Sequence, residues 1–334
     1  MNKPKLLILV ISIQLIFILS LAIIINNKHN QVLGTSINIL SKKDLIFPKN
    51  PTFKYFYENT PNSTESSNLA WFGLPNENYT ISIDSSGFNQ LSNYSIEKPQ
   101  GTYRIITIGD SYTYGSAVNT QDNYPSQLEK KLNSDLKCKN ISNFQVINFG
   151  VPGYDIPYTV ERYRIRGQQY SPDLVLWFLI GDDFKRYNEQ LLPREKALEN
   201  QLKESGQYSK LISQKNYYYA WTKVKNEILN EAGGEDSMLK MQEKSMEDLN
   251  KLYNGKLIVF TLDYPFIDNS GISMLKDFTR KRKDTYFNLS PNLYLQPGQM
   301  INNVGHPSAK GYAEIVDNLY DYMVLNNIIP CEKP

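Results

Sequence analysis

Seven consecutive apolar side chains, Leu174 to Ile180, constrain this chain more than any other stretch. A strand of that kind has no polar face, so its sheet must be covered on both sides. A strand with one wet face would alternate instead. Four further segments read as strands: Tyr103–Ile108, Phe144–Asn148, Lys256–Leu262 and a shorter one at Thr285–Leu289. Helical spacing separates them. Tyr124, Leu128, Leu132 and Leu136 recur every four residues in Asp122–Leu136, and a second helix follows Asp155 with Pro157 in its first turn. A third covers about Ser237–Tyr253, and the last, Ala309–Asn326, has Ser308 as its N-cap. The alternation predicts a three-layer α/β/α sandwich, flavodoxin-like, with a mainly parallel five-stranded sheet of order 2-1-3-4-5 and right-handed crossovers.

In open sheets of this class, ligands bind at the carboxyl ends of the strands. Ser111 follows strand one there, in Ile108-Gly-Asp-Ser111. Serine at such a turn is a nucleophile if a base reaches it, and otherwise a turn and helix cap. Gly150 ends strand two, Asp182 and Asp183 end strand three, and Asp263 ends strand four. The chain has two histidines. His29 follows a membrane-type segment, which leaves His306, just before the last helix, as the base that can arrive at this edge.

Gly109-Asp-Ser111, Gly150 within Ile147–Gly153, Gly181-Asp-Asp183 and His306-Pro-Ser308 stand in that order. Together they resemble the four blocks of the SGNH (GDSL-type) hydrolases. Ser82–Gly101 resembles the region before the serine block in membrane-anchored bacterial members. The resemblance implies Ser111 as nucleophile, His306 as base, and an oxyanion hole built from the amides of Ser111 and Gly150. The third block normally adds an Asn to that hole, and Asp182 stands in its place. An Asp can donate only when protonated, and losing one such donor costs about 10²–10³ in rate. The acid that normally precedes the histidine by three residues is Asn303 here. Asn can hold the ring but lends it no charge, a change that costs about 10⁴ in a serine protease. Asp263 is the alternative acid. No cofactor or metal is implied.

The activity expected from the resemblance is removal of O-acyl groups, chiefly O-acetyl, from envelope carbohydrate. Two alternatives stand beside it: an O-acyltransferase using the same serine, and a degenerate carbohydrate-binding domain that has lost turnover. The partner expected is an acylated polysaccharide or a small ester. With 36 basic and 34 acidic residues, no nucleic-acid partner is implied.

Leu6 to Ile25 is uncharged over twenty residues, long enough to span a bilayer. Lys3 and Lys5 before it favour a cytoplasmic N-terminus, so residues 1–25 read as a single-pass anchor and the rest as extracytoplasmic. Residues 26–80 read as a stalk that becomes ordered, with a hairpin around the Ser85-Ser-Gly87 turn, and 81–334 as the hydrolase-like domain. The long crossover after strand three carries an insertion, about 185–229, expected to form a helical cap. Its cluster Tyr217-Tyr-Tyr-Ala-Trp221 serves either cap packing or the stacking of a sugar ring.

The two cysteines, Cys138 and Cys331, follow the first and last helices. In the 2-1-3-4-5 order those helices lie side by side on one face and run the same way. Their C-terminal ends therefore meet, and in an oxidising compartment the two cysteines are expected to form a disulfide.

Overall fold

A computed structural model describes residues 45–46, 51–69, 74–214, 216, 218–263, 267–290, 293, 297–301 and 305–332. The apolar run Leu6–Ile25 and Asn303 lie outside the described residues, among which no helix is long and apolar enough to cross a membrane.

Before the main sheet come β1 (Leu45–Ile46), β2 (Glu58–Asn59), β3 (Thr64–Leu69) and β4 (Leu74–Ser82). The main unit then alternates. It runs β5 (Thr102–Ile108), the one-turn α1 (Ser111–Tyr114), α2 (Tyr124–Asp135), β6 (Asn143–Asn148), α3 (Ile156–Arg162) and β7 (Leu174–Phe178). The insertion supplies α4 (Asn188–Glu204), α5 (Gln207–Ser213) and α6 (Tyr219–Glu231), and α7 (Glu235–Leu252) returns the chain to the sheet. It finishes with β8 (Lys256–Leu262), α8 (Asn269–Arg280), β9 (Thr285–Ser290), the short pair β10 (Met300–Ile301) and β11 (His306–Pro307), and α9 (Ala309–Leu325).

The five-stranded sheet has the order β6-β5-β7-β8-β9, all parallel. That is the predicted 2-1-3-4-5 arrangement. Successive side chains of a strand point to opposite faces, so each apolar run feeds two cores. Ile105, Leu174, Leu176, Phe178, Ile258 and Phe260 pack with Leu128 and Leu132 of α2 and with Ile315 and Leu319 of α9. Ile106, Ile108, Val175, Trp177, Leu257 and Val259 pack on the other face with Ile156 of α3, Met246 and Leu249 of α7, and Leu275 and Phe278 of α8.

The hairpin before the domain is paired differently from the expectation. β4 pairs antiparallel with the earlier β3, while Ser85–Gly87 forms a tight turn closed by a single Ile83–Asn89 bridge. The Asp84 carboxylate accepts from the amides of Ser86 and Phe88 to hold that turn. Packing on the domain begins within the segment read as a stalk. The Thr52 amide donates to Glu161, those of Lys54 and Tyr55 to Glu189, and Phe56 and Tyr57 are buried against Tyr154 and Tyr158.

In the insertion, Leu191, Trp221, Val224 and Ile228 pack with Met238 of α7. Trp221 is therefore a core residue of the cap; Tyr217 lies outside the described residues. Cys138 and Cys331 form a disulfide with Cα atoms 5.0 Å apart, beyond the ends of α2 and α9.

Candidate active site

The sharp turn out of β5 presents Ser111. Gly109 has φ +147°, and a Cβ there would lie 2.4 Å from Thr113 Oγ1 and 2.7 Å from the Phe178 carbonyl, so only glycine fits. Asp110 caps α1, its Oδ1 accepting from the Tyr112 amide at 2.9 Å. Gly115 ends the turn in the left-handed region, its N–H donating to the Ser111 carbonyl. One tight helical turn thus begins at Ser111, which is fully buried at 0 % exposure.

His306 enters from β11. Ile301 of β10 pairs with it, and Ser308 caps α9 by accepting from the Gly311 amide. His306 Nε2 stands 2.9 Å from Ser111 Oγ across a separation of 195 residues. Its ring lies 4.8 Å from that of Tyr112, whose hydroxyl donates to the Gly305 carbonyl. The sheet and the last loop therefore bring together the two residues expected to react.

Two expected oxyanion contributors are corrected. The Gly150 amide donates to Asn148 Oδ1 at 3.0 Å, so it is engaged within its own loop. Glycine is required there for packing, since a Cβ would lie 2.2 Å from the backbone nitrogen of Tyr114. Three residues on, Gly153 has φ +79°, and its carbonyl accepts from Arg186 and Asn188. Asp182, the second correction, is not a donor. Its Oδ2 lies 2.9 Å from Arg186 Nε and its Oδ1 accepts from Lys225 Nζ of α6 at 2.8 Å, so both oxygens face cations. Asp263 stands at the end of β8 with its amide donating to the Ser290 carbonyl. That is two strands, about 10 Å, from the strand carrying Ser111.

The residue that sequence reading missed is Arg186, 1 % exposed. Besides Asp182 and the Gly153 carbonyl, it bonds the Tyr154 carbonyl at 3.0 Å and Asp183 Oδ1 at 2.6 Å, and it lies 3.6 Å from Asp110 Oδ2. Burial would strip its proton, but the charges of Asp182, Asp183, Asp110 and Asp155 outweigh that and hold it firmly cationic. Burial pushes Asp110 up to about 6 despite the opposing pull of Arg186. Asp155 is likewise pushed up to about 6 by burial, against hydrogen bonds from the amides of Asn188 and Tyr158. Among the described residues no group of His, Cys, Asp or Glu side chains is arranged to hold a metal ion.

No protein-family model matches the chain, and no curated protein matches it. Solved structures do. TesA is similar at 15% identity and a TM-score of 0.41, covering 68% of this chain and 99% of that one. The psychrotrophic esterase EstA from Pseudoalteromonas sp. is similar at 14% identity and a TM-score of 0.41, covering 67% and 99%. A two-domain esterase active on acetylated mannans is similar at 12% identity and a TM-score of 0.40, covering 70% of this chain and 51% of that one.

Proposed function

We propose that this chain is a serine ester hydrolase of the SGNH type that removes small O-acyl groups, chiefly acetyl, from envelope carbohydrate. The observation that carries the reading is the 2.9 Å contact between Ser111 Oγ and His306 Nε2 at the carboxyl edge of the sheet. With the ring proton on Nδ1, Nε2 accepts the serine proton as Oγ attacks the acyl carbon. The tetrahedral intermediate collapses, and the sugar oxygen leaves with the proton held by His306. Water, activated by the same nitrogen, then releases the carboxylic acid and restores Ser111. The amide of Ser111, at the first position of α1, is assigned to the oxyanion. Asp182, clasped by two cations, adds nothing there, so the enzyme is expected to turn over about 10²–10³ more slowly than one with a donor in its place. Asn303, three residues before His306 in the sequence, is a neutral amide and would lend an imidazole no charge.

The burial of Ser111 and His306, at 0 % and 1 %, fits a small acyl group. Placement outside the cytoplasm on a single-pass anchor rests on the run Leu6–Ile25 and is supported by the disulfide. A second reading is transfer of the acyl group by the same serine to a sugar hydroxyl instead of water. Hydrolysis of small acetyl esters by the protein and its Ser111→Ala variant tests the proposal. Wild type should cleave them, the variant should not, and a fluorophosphonate should label Ser111 only while His306 is present. Equal rates for wild type and variant would sink it. Acyl transfer to an added sugar at the expense of free acetate would select the second reading.

A further inference from the structure

Three loops meet at the carboxyl edge, and one buried side chain touches all of them. Arg186 Nη2 lies 3.6 Å from Asp110 Oδ2 in the turn that carries Ser111. Nη1 and Nη2 donate to the carbonyls of Gly153 and Tyr154, in the loop after β6. Nε and Nη2 face Asp182 and Asp183, in the turn after β7. The Arg186 carbonyl in turn accepts from Gln242 of α7. Only the planar, five-donor guanidinium can serve so many acceptors at once; an ammonium would supply one point charge. A buried ion cluster adds little net stability, because desolvation offsets much of the attraction. Its placement beside the nucleophile calls for another reason.

We propose that Arg186 is a positioning residue for this site: it fixes the Gly153 loop against the Asp110–Ser111 turn and balances the Asp110 carboxylate beside the nucleophile. The inference rests on the proposed hydrolytic reading. Asp110 Oδ2 is 3.4 Å from Ser111 Oγ. As a carboxylate it can only accept a hydrogen bond, which leaves the serine lone pairs for attack. Once protonated, it can donate to Oγ and occupy the lone pair that attack requires. The groups facing Asp110 are Arg186, Asp182 and Asp183 from the turn after β7, Ser111 and the Tyr112 amide from α1, and Tyr57, Tyr124 and Tyr312 from the surrounding elements. Arg186 is the cation among them. Removing it must therefore raise the pH at which Asp110 takes up its proton, and the acid limb of the rate profile, to which protonation of the base His306 also contributes, must move upward with it.

The test compares Arg186→Gln, Arg186→Lys and the charge-compensated Arg186→Gln/Asp183→Asn with wild type. The double variant guards against misfolding, since the asparagine side chain keeps an acceptor for the Ile180 amide that Asp183 now serves. Unfolding temperature, kcat and KM on an aryl acetate, the pH profile, and the carbon NMR titration of Asp110 are measured. For folded variants carrying Gln, kcat should fall about 10²-fold, as for a displacement near 1 Å, with KM changed much less. In Arg186→Gln the acid limb and the Asp110 titration should both move to higher pH. Arg186→Lys should restore the limb but not kcat. Wild-type kcat in any folded variant, or a fall in kcat with limb and titration unmoved in Arg186→Gln, would overturn the proposal. If wild type cleaves no ester, the hydrolytic reading fails, and the Asp110 titration alone decides whether Arg186 acts on its charge.

Discussion

The Tyr112 hydroxyl donates to the carbonyl of Gly305, joining the residue after the serine to the residue before the histidine. The Tyr112 ring also lies beside the imidazole, tilted by 33°. Since 195 residues separate Ser111 from His306, their alignment depends on contacts of this kind.

Tyr112→Phe keeps the ring and removes the hydroxyl that donates to the buried Gly305 carbonyl. Stability should fall by about 1–3 kcal/mol. Hydrolysis should slow by about tenfold as the histidine loop loosens, a milder loss than the roughly hundredfold cost of a full 1 Å displacement. Thermal melts and steady-state kinetics check both; an unchanged rate would show that β10 and β11 hold His306 unaided.

Gly150→Ala should damage folding, because the new methyl would meet the Tyr114 backbone, which cannot swing aside as a side chain could. A loss of about 1–3 kcal/mol is expected, typical of overpacking. A variant as stable as wild type that had lost only turnover would return Gly150 to the oxyanion hole.

Asp110 and Asp155 are both pushed up to about 6 by burial, above their ordinary 3.8. A carboxyl raised on folding binds its proton more tightly in the folded state. These two groups therefore oppose folding above about pH 6 and add stability as pH falls through 6 toward 4. For Glu161, burial is outweighed by Arg164, which holds it low, so its contribution is lost only below that window. The melting temperature should accordingly be higher in mildly acidic than in mildly alkaline buffer. A curve that falls steadily on acidification from neutrality would contradict this.

The disulfide closes a separation of 193 residues. In the chain-entropy model a loop of that length contributes about 5 kcal/mol. Cys138→Ser/Cys331→Ser should melt about 10 °C or more below wild type. Its kcat at low temperature should be unchanged, because the bridge lies beyond the ends of α2 and α9, at the edge opposite the carboxyl ends of the strands.

Phe56 is buried between Tyr154 and Tyr158. Phe56→Ala should cost about 3–5 kcal/mol. A chain starting after residue 81 should lose more still, whereas one starting near residue 45 should fold; circular dichroism melts of the two truncations distinguish them.

The sheet was legible because Leu174–Ile180 and Lys256–Leu262 carry their burial openly, and Ser111 and His306 because they are polar residues at its carboxyl edge. α8 was not, since Gly271, Ser273 and Thr279 dilute its helical signal, although Leu275 and Phe278 are its buried face. The partner of β4 was hidden because β3, Thr-Glu-Ser-Ser-Asn-Leu, has almost no apolar pattern. Arg186 lies at the start of the insertion expected to form a helical cap, and periodicity cannot show that three loops supply it with acceptors. Gly150 as a letter does not show what requires it; only the neighbouring Tyr114 backbone and the Asn148 side chain reveal a packing role.

The docked N-terminal segment has a mechanical consequence. The Tyr57 hydroxyl donates to the Pro152 carbonyl, and the Tyr57 carbonyl accepts from the Tyr154 hydroxyl. The chain is thus stitched to the loop that contains Gly153 before it reaches any strand of the main sheet. Tension applied at the N-terminal end would first load the β1–β2 pair, Leu45 with Asn59 and Ile46 with Glu58, then the bonds from Thr52 to Glu161 and from Lys54 and Tyr55 to Glu189, and then this stitch. A pull from that side therefore reaches the loops at the carboxyl edge of the sheet before it reaches the strands of the core.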